Sequence, residues 1–385
     1  MKKIFFVIWG NPKFYQTLIF LSQKISKQNF KVFILARNLN HEKDIIKKVY
    51  FGKNVNILNS PKFLSKSNNA LDYLIFIFYV FFQFLLIAPN NIIFFNKKSL
   101  FCILILKIFG KKTNFTYHNF DFDLAQNTKI LKEKILIKFE LFCSRFCNNL
   151  IFPSKERSNI FKRISKNKKA KFYSFMNCFP VNFKARKSSK FKSFLGEKNL
   201  TNKKIVCYLG SIGPNHYLHE TIKSFKFIND EIVLIIAGNS INNYAKYLKD
   251  KIKTYKITKK VFIIEDVSND YWYEILKYSK LGVCFYKRIN LSHKYMAGTS
   301  QKFNNYLLSN IPMIVNDGKD FKKFKIKNDI FEITKSNNPK KIASSIKNIF
   351  KNLKRYKKIK SNMKITFKKK LNFGKQFNDS YEKIL

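Results

Sequence analysis

The sequence predicts an α/β protein built from two doubly wound halves, each with a parallel sheet covered by helices. Short, continuously apolar segments alternate with helix-length amphipathic segments along the chain, which is typical of parallel strands buried on both faces. This alternation occurs twice, before and after a polar, basic stretch at residues 181–201. A chain of 385 residues is long enough for two hydrophobic cores.

Six strands are predicted in the first half, with helices such as Tyr15–Lys27 and Ile130–Cys147 between them. The strands are Lys3–Trp9, Lys31–Ala36, Val55–Leu58, Ile92–Phe95, Thr113–His118 and Leu150–Phe152. The first of them resembles a signal peptide, but its apolar core of about six residues is too short and no small-residue cleavage site follows it. A buried first strand is therefore favoured.

The second half repeats the pattern with five predicted strands and four predicted helices. The strands are Lys204–Leu209, Ile232–Ala237, Val261–Ile264, Leu281–Phe285 and Met313–Val315. The helices lie near Tyr217–Phe227, Asn242–Thr254, Asp270–Ser279 and Ser300–Ser309. A last helix near Gly374–Ile384 is expected to pack on one of the two domains.

The formal net charge of +52 is extreme and bears on partners rather than on fold. It fits attraction to an anionic membrane or to nucleic acid. It also fits compositional drift, because Lys, Asn, Ile and Phe can all use codons rich in A and T. The lysines are spread over the whole chain and no zinc-finger spacing or RNA-recognition signature occurs, which argues against nucleic acid. The six cysteines lie mostly in apolar runs without a C-x-x-C pair, which favours a reducing cytoplasm.

The segment Leu74–Ala88 is apolar and uncharged over fifteen residues. A helix that spans a bilayer needs about 20 residues. Three alternatives remain for this segment: a helix buried against the first sheet, a helix partly inserted in a membrane interface, and a transmembrane helix.

Three consecutive strands of the second half end in candidate binding segments. Leu209-Gly210-Ser211-Ile212-Gly213 lies between a strand and a helix, where backbone N–H groups and the helix dipole favour a phosphate. Gly238 ends the next strand, and Asp266-Val267 ends the one after it. Because the carboxyl ends of parallel strands line the ligand crevice, all three turns are candidate binding segments. A plain tight turn is the alternative for the first.

Gly298–Leu307 places a lysine in the first turn of a predicted helix. Thr299 or Ser300 can cap this helix. Lys302 then lies where the helix dipole disfavours a cation, a penalty that a bound anion would reverse. Asn305 lies about one turn further along the same face. The alternative is that Lys302 is one more solvated charge in a lysine-rich chain.

The order of these segments resembles the GT-B glycosyltransferases of family 4, the large retaining group. Thr299–Tyr306 followed by Asn310-Ile311-Pro312-Met313-Ile314 is similar to the family motif S-P-N-K-x-x-E-Y-x-x-x-G-x-P-V-I in its Lys, Tyr, Pro and spacing. The resemblance covers most of residues 204–316 and, more loosely, the whole chain. Tyr117-His118-Asn119 resembles the acceptor-side histidine segment of the family, and Phe373–Ile384 resembles its helix that crosses back to the first domain.

This resemblance implies two Rossmann-like domains that face a cleft. It places an acceptor-side domain at 1–180, a linker at 181–201, a nucleotide-sugar-binding domain at 202–360 and a helical segment at 361–385 that packs back on the N-terminal domain. It implies transfer of a sugar, with retention and without a metal cofactor, from a UDP- or GDP-sugar to a glycan or lipid-linked acceptor. We expect a role in cell-surface polysaccharide or lipopolysaccharide synthesis, in the cytoplasm and peripheral at the inner face of the cytoplasmic membrane, with an anionic membrane surface as a partner.

The resemblance also implies site residues, with His118 and Lys302 as the catalytic pair. The predicted nucleotide-sugar-binding residues are Gly10, Asn11, Gly210, Ser211, Gly213, Gly238, Asp266, Val267, Ser300 and Asn305. The turn at 210–213 and the Lys302 ammonium would stabilise the leaving diphosphate. For His118 the alternative is a buried strand-end histidine, and for Asn11 it is a turn residue. Asp121-Phe122-Asp123 matches D-x-D in letters but lies in the acceptor-side loop.

Two features of the family are missing from this sequence. Asn305 stands where the family commonly has a Glu, and Ala297 where a second Glu would fall. The basic pair of the first helix has no match in Gly213–Glu220, where His216 and His219 are the titratable nitrogens. Two alternatives therefore stay open beside the enzyme: a non-catalytic GT-B protein that binds a ligand or partner, and a basic α/β protein that binds nucleic acid.

Overall fold

A computed structural model of the chain describes residues 1–37, 49–61, 69–185 and 188–385. The chain divides into two compact units. The first comprises Met1–Asn177, Asn290–Ser292 and Phe373–Leu385, and the second comprises Cys178–Ile289 and His293–Asn372. Each unit contains one parallel sheet with helices between its strands. The predicted fold class, two doubly wound α/β halves, is confirmed.

The sheet of the first unit has the strand order β3-β2-β1-β4-β5-β6-β7. Its strands are β1 Lys2–Ile8, β2 Phe30–Ala36, β3 Val55–Asn59, β4 Asn91–Phe94, β5 Asn114–His118, β6 Asn149–Phe152 and β7 Lys171–Ser174. Every pair in it is parallel, as the continuously apolar strands predict. Residues Ile4–Ile8 of β1 are fully buried at the centre of this sheet.

Six helices connect these strands in the described residues of the first unit. They are α1 Gln16–Ile25, α2 Asn69–Ile87, α3 Lys97–Leu100, α4 Ile103–Phe109, α5 Leu131–Ser144 and α6 Lys155–Ser165. Short polar side chains cap the N-termini of two of these helices. Asn96 accepts a hydrogen bond from the Ser99 backbone at α3 (2.9 Å), and Ser154 accepts one from the Arg157 backbone at α6 (3.2 Å).

The sheet of the second unit has the strand order β10-β9-β8-β11-β12-β13. Its strands are β8 Lys204–Leu209, β9 Ile232–Gly238, β10 Val261–Glu265, β11 Ser279–Cys284, β12 Met313–Asn316 and β13 Glu332–Thr334. The helices that follow α6 in the chain are α7 Lys190–Glu197, α8 Leu218–Ser224, α9 Tyr244–Thr254, α10 Asn269–Tyr278, α11 Leu291–Lys294, α12 Gln301–Leu308, α13 Lys319–Asn328, α14 Pro339–Lys351, α15 Leu353–Lys369 and α16 Phe373–Asp379.

The predicted linker 181–201 differs from the structure because it contains α7. Phe191 and Leu195 are four residues apart on this helix and both are buried. The backbone N–H groups of Phe191 and Lys192 donate to Glu274 on α10 (2.9 and 3.2 Å), which ties α7 to the second unit. Residues 186 and 187 of the predicted linker lie outside the described residues.

The predicted C-terminal segment 361–385 is split between the two units. Its first residues belong to α15, which is part of the second unit, whereas Phe373–Leu385 groups with the first unit. In the first unit, Met176 N–H donates to Gln376 of α16 at 3.0 Å, and Phe377 is fully buried.

Candidate functional site

Two glycine turns lie in direct contact at the carboxyl ends of β8 and β9. The two strands are parallel with Leu209 opposite Ala237, and Gly210 N–H donates to Ala237 O at 3.0 Å. Gly238 has a φ of 148°, and a Cβ placed on it would lie 1.9 Å from Gly210 O. Position 238 therefore requires glycine, because a side chain would push the Gly210 turn away.

Tyr306 on α12 fixes that helix over the ends of β8 and β11. Its hydroxyl oxygen lies 3.0 Å from Cys207 O and 3.2 Å from Val283 O, and it accepts from Leu209 N–H at 3.3 Å. Its ring is so close to Gly282 that a Cβ there would lie 2.6 Å from it. This packing sets the position of the first turn of α12, which carries Lys302.

Lys302 is buried between two tyrosine rings. Its residue surface is 5% exposed, and among the described residues its ammonium nitrogen has no hydrogen-bond partner. The nitrogen lies 3.8 Å from the ring centroid of Tyr208 and 4.7 Å from that of Tyr286. Its Cε would lie 3.2 Å from a Cβ placed on Gly210. Burial lowers the pKa of Lys302 to about 7.

The start of α12 is held by its N-cap residue and by a hydrogen bond from that residue to Tyr286, which lies just after β11. Ser300 accepts from Phe303 N–H at 3.3 Å as the N-cap, and its hydroxyl is hydrogen-bonded to the hydroxyl of Tyr286. Tyr286 N–H donates to Asn316 Oδ1 at 3.0 Å. Asn305 is buried and accepts from Gln301 Nε2 at 3.3 Å. Of the predicted residues, the structure thus brings Gly210, Gly238, Ser300 and Lys302 together.

His216 extends this cluster on the side of the Gly210 turn. It lies in a 3-10 turn, Pro214–His216, and its ring centroid is 5.3 Å from that of Tyr286 and 6.1 Å from that of His293. Its Nδ1 lies 3.3 Å from Phe285 O. Burial, and then the positive charge of Lys302, lower the pKa of His216 to about 3.

Sequence reasoning missed the aromatic members of this cluster: Tyr208, Tyr286 and His293. A signal for the first two was present, because Tyr208 lies near the end of β8 and Tyr286 is the second residue after β11. The carboxyl ends of adjacent parallel strands meet at one sheet edge. Within the apolar strands themselves, however, a tyrosine also fits an ordinary core position.

The other predicted residues of the second unit lie around the cluster or away from it. Ser211 is exposed, and its carbonyl accepts from the Tyr208 hydroxyl at 2.7 Å. Gly213 starts the 3-10 turn of His216 in an extended conformation. Asp266 is exposed and Val267 half-buried, and they follow β10, which lies at the sheet edge two strands from β8. No hydrogen bond or ring contact described for these two residues joins them to Lys302.

In the first unit, His118 ends β5 inside an aromatic cage. It is fully buried, and its Nδ1 lies 2.7 Å from the hydroxyl of Tyr381 near the C-terminus. Its ring is 4.9 Å from Phe120 and 5.5 Å from Phe175, centroid to centroid. Burial lowers the pKa of His118 to about 3, so the ring is neutral at physiological pH. The ring is packed on its neighbours, while its Nε2 is buried without a hydrogen-bond partner in the described residues.

The polar residues after β1 and β5 also have local partners. Asn11, which follows Gly10, is buried and caps the 3-10 turn Pro12–Phe14 by accepting from Lys13 N–H at 3.0 Å. Asp123 of the D-x-D letters accepts from Asn127 Nδ2 at 2.6 Å and from Leu291 N–H at 3.2 Å. Within residues 1–37, 49–61, 69–185 and 188–385, no three His, Cys, Asp or Glu side chains group so as to hold a metal ion.

The Lys302 cluster lies in the part of the chain that matches a known sequence family. The sequence model described as Glycosyl transferases group 1 matches residues 190–366. This stretch begins at α7, ends in α15 and contains the whole cluster around Lys302. This part of the second unit is therefore similar in sequence to group 1 glycosyltransferases. Among curated proteins, no sequence matches the chain.

Solved structures match the chain over its whole length. HepE of Anabaena, in complex with UDP and glucose, has a TM-score of 0.76 at 13% identity and covers 100% of this chain and 99% of its own. Sucrose-phosphate synthase of Thermosynechococcus elongatus has a TM-score of 0.74 at 10% identity, with the same coverage of 100% and 99%. A glycosyltransferase of Rickettsia africae has a TM-score of 0.71 at 12% identity and covers 100% and 97%. At these identities the similarity establishes the fold, which is that of the GT-B glycosyltransferases.

Proposed function

We propose that the chain is a glycosyltransferase whose second unit binds a nucleoside-diphosphate sugar at the Gly210–Gly238–Lys302 cluster. The observation that carries this proposal is the Lys302 ammonium, which is buried without a hydrogen-bond partner in the described residues. An unpaired buried cation is costly, and a diphosphate would compensate it. The group 1 domain match and the UDP complex of HepE support the same ligand class.

In the proposed transfer the acceptor oxygen forms a bond to the sugar carbon, the bond from that carbon to the diphosphate oxygen breaks, and the hydroxyl proton leaves with the diphosphate. The negative charge that develops on the departing phosphate would be stabilised by the Lys302 ammonium and by backbone N–H groups of the 210–213 turn. With no diphosphate bound, the pKa of Lys302 is about 7, and a bound anion would raise it and keep the side chain charged. Our proposal includes retention of configuration and a reaction without a metal ion.

The proposed acceptor is a glycan or a lipid-linked glycan of cell-surface polysaccharide synthesis. The proposed location is the inner face of the cytoplasmic membrane. The net charge of +52 supports this location, because anionic headgroups attract lysine side chains. His118 stays a predicted catalytic residue, although its burial against Tyr381 favours a packing role.

Calorimetric titration with UDP, UDP-glucose and GDP tests donor binding. We expect binding of about micromolar affinity, weakened about tenfold to hundredfold in Lys302→Ala, because a charge-assisted hydrogen bond contributes about 1.5–3 kcal/mol. Lys322→Ala is the matched control, since this lysine is exposed and paired with Asp317 at 2.9 Å. Equal affinity of Lys302→Ala and wild type would refute the assignment of the site.

Turnover separates an enzyme from a non-catalytic binder. The bound nucleotide sugar is incubated with membrane acceptors, and UDP release and sugar incorporation are measured with and without EDTA. Incorporation that survives EDTA supports the proposed reaction. Tight nucleotide binding without any incorporation supports the non-catalytic alternative. Salt-sensitive binding of short DNA without nucleotide binding supports the alternative of a basic protein that binds nucleic acid.

A further inference from the structure

Helix α2 carries an uncharged apolar stripe on the side of the helix that faces away from the first unit. The stripe consists of Leu71, Leu74, Phe78, Phe82, Leu85 and Leu86, all of them exposed. The opposite side, with Phe76, Val80 and Phe84, is buried against the unit. The spacing of three and four residues places each set on one face of the helix. Among the described residues, α2 is the helix that is long and apolar enough to cross a bilayer. Of the residues Ala70–Ile87, 22% are buried in the protein.

Helix α2 is therefore buried against the first unit on one face only. A transmembrane arrangement conflicts with this packing. Its face at Phe76 packs on Trp9 of the turn after β1, with ring centroids 5.2 Å apart. Asp72 near its start is paired with Arg37 at 3.1 Å. A helix held to a protein core along one side cannot be surrounded by lipid, so the exposed stripe is available for contact on one side only.

A second exposed apolar stripe lies on α5, which is connected to α2 through α3. Leu131, Ile135, Phe139 and Phe142 are exposed at helical spacing on α5. The Tyr73 hydroxyl of α2 donates to Lys98 O of α3 at 2.7 Å, and Lys97 of α3 pairs with Glu133 of α5 at 3.2 Å. Ile108 and Phe109 at the end of α4 are also exposed, and the Phe109 ring lies 5.0 Å from that of Phe81 on α2.

Lysines accompany these apolar groups, while the acids near them are neutralised. Exposed or half-buried lysines near the two stripes are Lys98, Lys107, Lys111, Lys112, Lys132 and Lys138. Of the acids on α5, Glu133 is paired with Lys97 and Glu140 is buried. An apolar stripe with a basic surround fits the boundary between headgroups and acyl chains of an anionic bilayer.

We infer that α2 and α5 form a docking surface on which the first unit lies in the interface of an anionic phospholipid bilayer without crossing it. The charge decides between this occupant and a second copy of the chain. Two copies would bring like-charged surfaces together in a protein of net charge +52, whereas an anionic bilayer neutralises them. The inference rests on the proposed membrane location and is independent of the donor site on the second unit.

Vesicle flotation of the full chain tests this surface with the double variant Phe78→Ser/Phe82→Ser. Both side chains are exposed, at 62% and 57%, so the variant should fold normally. Wild type should float with phosphatidylglycerol-containing vesicles, and the variant should bind them at least about tenfold more weakly. The matched control is Ile326→Ser/Leu353→Ser, which removes two exposed apolar side chains (87% and 65%) from the second unit and should bind like wild type.

Two further measurements fix the mode of binding. A tryptophan introduced as Phe78→Trp, in a background with Trp9→Phe and Trp272→Phe, should be quenched by lipids brominated on the acyl chains. Alkaline carbonate should extract the bound protein. Resistance to carbonate would overturn the interfacial mode in favour of a spanning helix.

Unchanged vesicle binding together with a smaller sedimentation coefficient of Phe78→Ser/Phe82→Ser would overturn the bilayer in favour of a second copy. UDP affinity of this variant should equal that of wild type, which separates failure of this surface from failure of the donor site.

Discussion

Replacing Lys302 with methionine should change how the stability of the second unit depends on pH. Burial lowers the pKa of Lys302 from 10.5 to about 7 in the folded protein. In the unfolded chain the lysine keeps its ordinary pKa, so between pH 7 and 10.5 the unfolded chain binds more protons than the folded one. The stability of wild type therefore rises with pH in this window, and below pH 7 it carries the full cost of the buried charge.

The size of this effect follows from the difference between the two pKa values. A shift of about 3.5 units corresponds to about 5 kcal/mol in total, at about 1.4 kcal/mol per unit. About 3 kcal/mol of this falls between pH 6 and pH 9. Methionine is apolar, of similar length and does not titrate. The stability advantage of Lys302→Met over wild type should therefore be largest at pH 6 and should shrink by about 3 kcal/mol at pH 9.

Urea unfolding measures this difference. The chain has two tryptophans, Trp9 in the first unit and Trp272 in the second, so a Trp9→Phe background makes fluorescence report the second unit. The other lysines titrate equally in both proteins and cancel in the comparison. Lys322→Met, at an exposed lysine, should show no such pH dependence. The free energies of unfolding of Lys302→Met and wild type are compared from pH 6 to 9. If their difference stays constant within about 0.5 kcal/mol, the buried, unpaired ammonium is refuted.

Two more perturbations follow from the structure. Gly238→Ala places a Cβ 1.9 Å from Gly210 O and should weaken UDP binding at least about tenfold in calorimetry, whereas Gly196→Ala on α7 meets no atom within 4 Å and should leave it unchanged. Glu140 accepts a hydrogen bond from the Tyr117 hydroxyl at 2.7 Å, and burial raises the pKa of this carboxyl from 4.5 to about 7. Between pH 4.5 and 7 the folded protein therefore binds more protons than the unfolded chain, so its stability falls as the pH rises. Glu140→Gln keeps the acceptor and should remove about 3 kcal/mol of this pH dependence in urea unfolding; an unchanged pH profile would contradict the buried carboxyl.

The sequence was sufficient for the central strands and insufficient for the sheet edges. β1, β8 and β9 are continuously apolar because both of their faces are covered, and this pattern is visible without a structure. β7 and β13 escaped prediction because they are short edge strands with half-buried side chains. Helix α7 was hidden by its basic surroundings, although the spacing of Phe191 and Leu195 is helical.

The candidate site was predictable where backbone chemistry defines it. The turn at Gly210 was predictable from the end of the preceding strand and from its glycines. The first turn of α12 was predictable from its capping residues. The surroundings of Lys302 were not predictable, because only the fold brings the rings of Tyr208 and Tyr286 to its ammonium. The charge pattern of a lysine-rich chain gave no reason to single out a buried lysine.

Lys302 is the one side chain of this cluster that could compensate the charge of a bound diphosphate in the described residues. His216 lies in the segment where the resemblance to family 4 implies a basic pair, but burial and the positive charge of Lys302 lower its pKa to about 3. His216 is therefore neutral at pH 7 and does not compensate the negative charge of a diphosphate. Lys302 itself has a pKa of about 7 until an anion binds, so binding would draw a proton onto this side chain. Donor affinity should consequently depend on one lysine and fall as the pH rises above 7, which a site with a permanently charged arginine would not do.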